Sequence, residues 1–335
     1  MTCAPPLFET RFWQHYNTWI AERAAAFIER TVQECSHPFM LFVSWPDPHH
    51  PFAPPRPWAD MFDPEDMPAP RQVEGELERM PSYVRARLGV DWISNNAPVI
   101  EQGGLTTTEH ISPSSMAKAI ALTRASEAMI DDAIGAVLAA VERAGITERT
   151  HVLFTSDHGE MGGHHGLLHK GPPPYRDVTQ VSFIMAGPGV PHGVACTAPT
   201  SHIDIVPTVL DLCGVNPQPF GLDGESLCPL LRPDSAGSTA RALRRDARFL
   251  EYHARQDERT YNHSIVTGGW RLTLYPNGDA GWGELFDLAA DPAEHHNLYA
   301  STRADVVAVR ESLRKHLLRD FPPAPDAGTL RIAKW

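Results

Sequence analysis

Thr150-His151-Val152-Leu153-Phe154-Thr155-Ser156-Asp157-His158-Gly159-Glu160 is the stretch from which the fold can be read. Its first half is short and apolar, the composition of a strand buried on both faces of a parallel sheet. Its second half turns polar at once. In open α/β sheets, ligands gather outside the carboxyl ends of the strands, which makes this junction a candidate site. Asp157 offers a hard oxygen and His158 an imidazole nitrogen, while Gly159 lets the backbone turn sharply beside a ligand. On spacing alone the same residues also suit a plain polar turn in which Asp157 caps the next few residues.

Elements on both sides of this strand alternate between helix and strand. Immediately upstream, Ser112 suits an N-cap and Pro113 the first helical position. Ile130, Ile134, Val137, Leu138 and Val141 recur at helical spacing, and Gly145 marks the stop. Earlier in the chain, residues 18–32 have helical composition and lead into Pro38-Phe39-Met40-Leu41-Phe42-Val43-Ser44, which reads as a buried strand. A proline-rich loop (46–70) and a polar stretch without a clear period run to about residue 108, the kind of long irregular region that serves as a lid or binding loop. Downstream, Val181 to Ala186 reads as a second strand ending at Gly187-Pro188-Gly189, and a short helix is expected from Asp204 to Cys213.

Beyond Pro233 the texture changes. Ser264–Val266 and Trp270–Leu274 flank Thr267-Gly268-Gly269, a hairpin signal. Glu284–Leu288 suits another strand and Val306–Leu318 an amphipathic helix. The expected architecture is therefore α/β: a mostly parallel sheet sandwiched by helices over residues 1–233, with a small C-terminal α+β subdomain over 234–335.

Bulk properties narrow the function classes. With 42% hydrophobic and 21% charged residues among 335, the chain can bury a substantial core. A net charge of −12 with no basic stripe argues against a nucleic-acid surface. It also means that an anionic substrate would need a locally positive site, from a metal or a lysine. No run approaches the about 18 apolar residues of a membrane span. The start, Met1-Thr2-Cys3-Ala4-Pro5-Pro6, has neither the basic beginning nor the apolar run of a signal peptide, so the expectation is cytoplasmic, subject to any segment upstream of Met1. Five cysteines at irregular spacing read as free thiols.

Two further stretches carry chemistry. Gly162-Gly163-His164-His165-Gly166-Leu167-Leu168-His169-Lys170-Gly171 packs three histidines and a lysine among four glycines. Such a loop can fold polar groups around a small anion, with Lys170 supplying a compact positive charge. His165 and His169 would share a face on a helix, but the glycines and Pro172-Pro173-Pro174 speak against one. In Pro46-Asp47-Pro48-His49-His50-Pro51-Phe52, a histidine flanked by prolines at a strand end can act on a leaving group, although a structural role is the commoner one.

In order along residues 18–300, these segments together resemble the sulfatase family of the alkaline-phosphatase superfamily. The series runs from Pro38–Val43 and Pro48–Phe52 through Phe154–Glu160 and His165–Pro172. It continues through Gly187–Gly189 and Asp204–Thr208 to Glu284–Leu288, Asp291-Pro292-Ala293-Glu294 and Asn297-Leu298. The resemblance implies that Asp157 and His158 are ligands of a divalent cation, usually calcium, with zinc or manganese as alternatives. It also implies that Lys170 contacts the sulfate group and that His49 lies near the leaving-group oxygen. His164 departs from the family, which commonly has aspartate there. The implied substrate is a small-molecule sulfate ester; the sequence is silent on its alcohol and on oligomeric state. Trp58, Trp92, Trp270 and Trp282 are candidates for a pocket wall, with core packing the usual alternative.

The family's nucleophile, a formylglycine made within a C-x-P-x-R-like motif, has no counterpart here, and neither has its Asp-Asp pair of metal ligands. Cys3-Ala4-Pro5-Pro6-Leu7 lacks the arginine, and Cys228-Pro229-Leu230-Leu231-Arg232 misplaces the proline. The expectation is a sulfatase truncated at its N-terminus, with weak metal affinity and doubtful activity as written. Two other readings stay open: a phosphonate monoester or phosphodiester hydrolase on the same fold, and a non-catalytic binding protein that retains it.

Overall fold

A computed structural model describes residues 15–85, 106–108, 111–231, 246–253 and 258–321. Along the chain these form α1 (Tyr16–Glu34), α2 (Glu76–Arg79), α3 (Ser82–Arg85), β1 (Thr106–Thr107), α4 (Pro113–Arg143), β2 (Val152–Thr155) and β3 (Leu167–Leu168). Then come α5 (Arg176–Thr179), β4 (Phe183–Ala186), α6 (Ile205–Leu212), β5 (Ala247–Tyr252), β6 (Asn262–Thr267), β7 (Trp270–Leu274), β8 (Gly283–Asp287) and α7 (Ala304–Asp320). The chain divides into two compact units. The first comprises Met1–Ala69, Ile111–Leu153 and Met185–Pro188; the second comprises Pro70–His110, Phe154–Ile184 and Gly189–Trp335. The expected domain boundary after residue 233 and Trp92 lie outside the described residues.

In the first unit α1 packs on α4. The start of α4 obeys its sequence signals: the Ser112 hydroxyl accepts the Ser115 N–H at 3.1 Å, and Pro113 opens the helix. Gly145 ends it at φ +66, the left-handed conformation that glycine adopts without a Cβ penalty. The expected Ile/Leu/Val stripe is buried only in part, at Val141 with Val137 packed beside it, and small residues make up most of the buried face. Ala121, Ala125, Met129, Ala133 and Ala140 are buried, whereas Leu138 is exposed. Small residues let the two axes approach, with Ile28 of α1 meeting Ala140, Val141 and Ile146. Trp58 packs on Ala125 and Met129, and its indole N–H donates to Asp132 at 2.8 Å, so it is a core residue.

Residues 38–44 form no ladder with any described strand. Phe39, Met40 and Phe42 are exposed, while Leu41, Val43 and Trp45 are half-buried. The alternation of an extended chain is present, but the apolar run that suggested burial on both faces is covered on one. β2 and β4 behave alike. They pair with each other, yet Phe154 and Ile184 are exposed.

The second unit holds most of the core. β5–β6–β7–β8 is an antiparallel sheet joined in sequence order. The pair Val266↔Arg271 leaves Gly268-Gly269 at the tip of the expected hairpin. One face of the sheet packs on α7 through Ile265, Leu272, Leu285, Val306 and Leu317. A second cluster joins Met80, Tyr83 and Val84 to Met161, Leu167, Tyr175 and Phe286. Two one-turn helices, α2 and α3, thus lie inside the stretch expected to be irregular. They are too short to show a helical period, but they bury Tyr83 and Val84 completely. Trp282 and Trp270 pack against these two clusters.

Candidate active site

The polar turn after β2 is built as the sequence implies. Gly159 N–H donates to the Val178 carbonyl at 2.7 Å, and a Cβ on Gly159 would lie 2.0 Å from the Asp177 carbonyl oxygen. Only a glycine permits that approach. His158 is oriented by its Nδ1, 2.8 Å from the Gly159 carbonyl. A carbonyl can only accept, so Nδ1 carries the proton and Nε2 keeps a lone pair in the neutral ring. That Nε2 lies 3.5 Å from Asp157 Oδ2, and the Asp157 side chain is 85% exposed. A carboxylate oxygen and an imidazole lone pair face each other at the spacing of two ligands on one ion, and the remote imidazole nitrogen bonds a backbone carbonyl as metal-ligating histidines do.

Glu160, given no role by the sequence, organises the next loop. Its carboxylate accepts the backbone N–H groups of Gly162 (3.2 Å) and His169, and Met161 N–H donates to the His169 carbonyl at 2.9 Å. These bonds hold His169 at φ +63 and so set where Lys170 leaves the loop. Burial pushes the Glu160 carboxyl up, opposed by the two N–H groups and by the nearby positive charge of Lys170. His158 and Lys170 thus lie close to the Glu160 carboxyl in the second unit, with Asp157 adjoining His158.

Two of the three histidines of the glycine-rich loop are braces. His164 Nδ1 accepts the Arg71 backbone N–H at 2.9 Å. His165, only 1% exposed, stacks on Tyr175 at 3.9 Å between ring centroids and donates Nδ1–H to Glu76 at 2.6 Å. Its φ of +57 confirms that no continuous helix carries His165 and His169. Nothing in the sequence pairs Glu76 with a histidine 89 positions away. With His295, these two residues form one of two groups of three possible metal ligands among the described residues; the other is Glu251, His253 and His263 in the four-stranded sheet.

His49 belongs to the first unit. Its Nδ1 donates to the His50 carbonyl at 2.7 Å, which leaves Nε2 on the exposed side of the ring. The turn is anchored by Asp47, whose buried carboxylate accepts Tyr16 O–H at 2.6 Å and the Asn17 amide at 2.8 Å. Cys35, Cys196 and Cys213 are free thiols, and no helix among the described residues is long and apolar enough to cross a membrane.

Comparison with known proteins supplies the family. The Sulfatase family model matches residues 3–215, and that of the N-sulphoglucosamine sulphohydrolase C-terminal region matches 163–320. The chain belongs to the sulfatase family. It is 36% identical over 193 residues to arylsulfatase K of Danio rerio, covering 57% of this chain and 35% of that protein. To the uncharacterized sulfatase YidJ of Escherichia coli K12 it is 29% identical over 306 residues, covering 89% and 54%. The phosphonate monoester hydrolase of Agrobacterium radiobacter superposes with a TM-score of 0.72 at 26% identity, covering 92% of this sulfatase-family chain and 60% of that one. The fold is alkaline-phosphatase-like, as the sequence resemblance implied. Sulfatases are metal-dependent, and the chain has groups of ligand-type side chains. It spans between about a third and a little over half of the length of these curated relatives.

Proposed function

We propose that this chain supplies the metal, sulfate and leaving-group contacts of a sulfuric ester hydrolase. Asp157 and His158 hold the divalent cation, and calcium is favoured over zinc or manganese because the family pattern pairs them with carboxylates. Bound there, the ion would polarise the ester's sulfate oxygens. Lys170 offsets the charge that grows on those oxygens. His49, which the family resemblance sets near the leaving-group oxygen, would as the imidazolium pass its Nε2 proton to the departing alcohol. The observation that carries the reading is the orientation of His158: its Nδ1–H is committed to Gly159, so Nε2 is turned toward Asp157 with a lone pair.

The test is calorimetric binding of an aryl sulfate with and without calcium, paired with turnover of aryl sulfate and aryl phosphonate by the natural-length polypeptide. Calcium-dependent binding that Asp157→Asn abolishes and Lys170→Ala weakens about tenfold or more is expected, with sulfate turned over faster. Faster phosphonate turnover would establish the second reading, which rests on the likeness to the phosphonate monoester hydrolase. Binding without turnover would leave a non-catalytic sulfate-ester binder.

A further inference from the structure

Three ligand-type side chains meet at the four-stranded sheet, far in sequence from Asp157 and His158. Glu251 lies on β5 directly opposite His263 on β6. His253 follows directly on the end of β5, two residues past Glu251. The three head groups converge: Glu251 Oε1 lies 2.6 Å from His253 Nε2 and 3.4 Å from His263 Nε2. All three ligand atoms lie within 4.8 Å of one another.

His263 gives an independent indication. It is 8% exposed, and its Nε2 has only a 3.4 Å contact with Glu251 Oε1 that falls short of good hydrogen-bond geometry. A buried ring nitrogen without a hydrogen bond is unfavourable unless something else uses it. The ring is wedged between Tyr261, edge-on at 4.6 Å, and Phe321 at 4.4 Å, so it cannot easily turn to find a partner. Glu251 and His253 are by contrast nearly half exposed, which opens the cluster to solvent ions.

We propose that Glu251, His253 and His263 bind a divalent transition-metal ion of the zinc type, separate from the cation of the sulfatase centre. Two imidazoles with one carboxylate select zinc, nickel or copper over calcium and magnesium, which take oxygen ligands. Three protein ligands leave coordination positions for water or a small anion. Strand pairing sets the spacing of Glu251 and His263, and His253 follows directly on the end of β5, so two of the three ligands are held by the sheet. The Tyr261 phenol donates a hydrogen bond to the Glu251 carboxylate and so helps to orient it. This site does not depend on the sulfatase reading.

The test is titration of the chelator-stripped full chain with zinc alone, followed by calorimetry, and with cobalt, followed by its visible absorption. One equivalent is expected, with calcium unable to compete. His253→Asn, at an exposed position, should weaken it about tenfold or more while leaving the melting temperature in chelator unchanged, and Glu251→Gln should do the same. The paired change Asp157→Asn with His158→Asn, and separately His295→Gln in the buried group, should leave it intact. The absence of a zinc equivalent in the parent chain, or one whose affinity His253→Asn does not alter, would overturn the proposal.

Discussion

Glu160 and His169 are joined by a hydrogen bond from the His169 backbone N–H to the Glu160 carboxylate, which also holds Gly162. Nine residues apart, they close the loop that ends at Lys170. Glu160→Ala strips a half-buried loop of the acceptor for two N–H groups and should destabilise the protein by about 2 kcal/mol, measured by urea denaturation. Glu160→Gln retains an acceptor oxygen and should lose less. The pH dependence has a definite sign. The Glu160 carboxyl is raised in the folded state, so its contribution to stability falls as pH rises above its unfolded value of 4.5. The Gln variant should lack that component of the slope.

The glycines of this region separate crowding from conformation. Gly159→Ala brings a Cβ onto the Asp177 backbone and should cost more than about 2 kcal/mol and disturb His158. Gly162→Ala meets nothing within 4 Å but must adopt φ +54, and should cost about 1 kcal/mol. Equal losses of melting temperature in the two variants would show that Gly159 has room to relax.

Arg271 is clamped in the core of the second unit. Its Nε lies 2.6 Å from Glu294 and its Nη1 3.0 Å from Glu284, with Tyr175 and Phe286 against the guanidinium. Glu294 also accepts the Arg176 N–H at 2.7 Å, tying the 291–294 turn to α5. Arg271→Leu leaves two carboxylates buried without their cation and should cost about 3–5 kcal/mol in denaturant midpoint stability. A loss below about 1 kcal/mol would mean that water reaches them.

His15 caps α1, with its Nδ1 accepting the Asn17 N–H at 3.3 Å, a bond that protonation would remove. Burial lowers its pKa, and Asp47 opposes this only in part. The unfolded chain therefore binds more protons just below pH 6.5, and stability should fall as pH drops through that window. His15→Asn, which can cap without titrating, should flatten the acid side of the stability profile. His15→Ala should cost about 1 kcal/mol at neutral pH.

Local features were legible because each depends on a few neighbouring residues. Ser112-Pro113 starts α4, Gly145 ends it, and Gly268-Gly269 turns the hairpin, all through backbone preferences that act over one turn. The ordered series of motifs likewise identified the sulfatase family and singled out Asp157, His158, Lys170 and His49. Tertiary structure alone decided how those positions are held. It brings Glu76 to His165, Arg271 to Glu294 and Glu251 to His263, pairs whose partners come from different elements. It also shows which apolar segments are covered: Phe39–Val43 has the composition of an interior strand, yet Phe42 faces solvent. Burial and pairing belong to whatever the chain packs against, and a run of residue types carries its own preferences but not the identity of its neighbours.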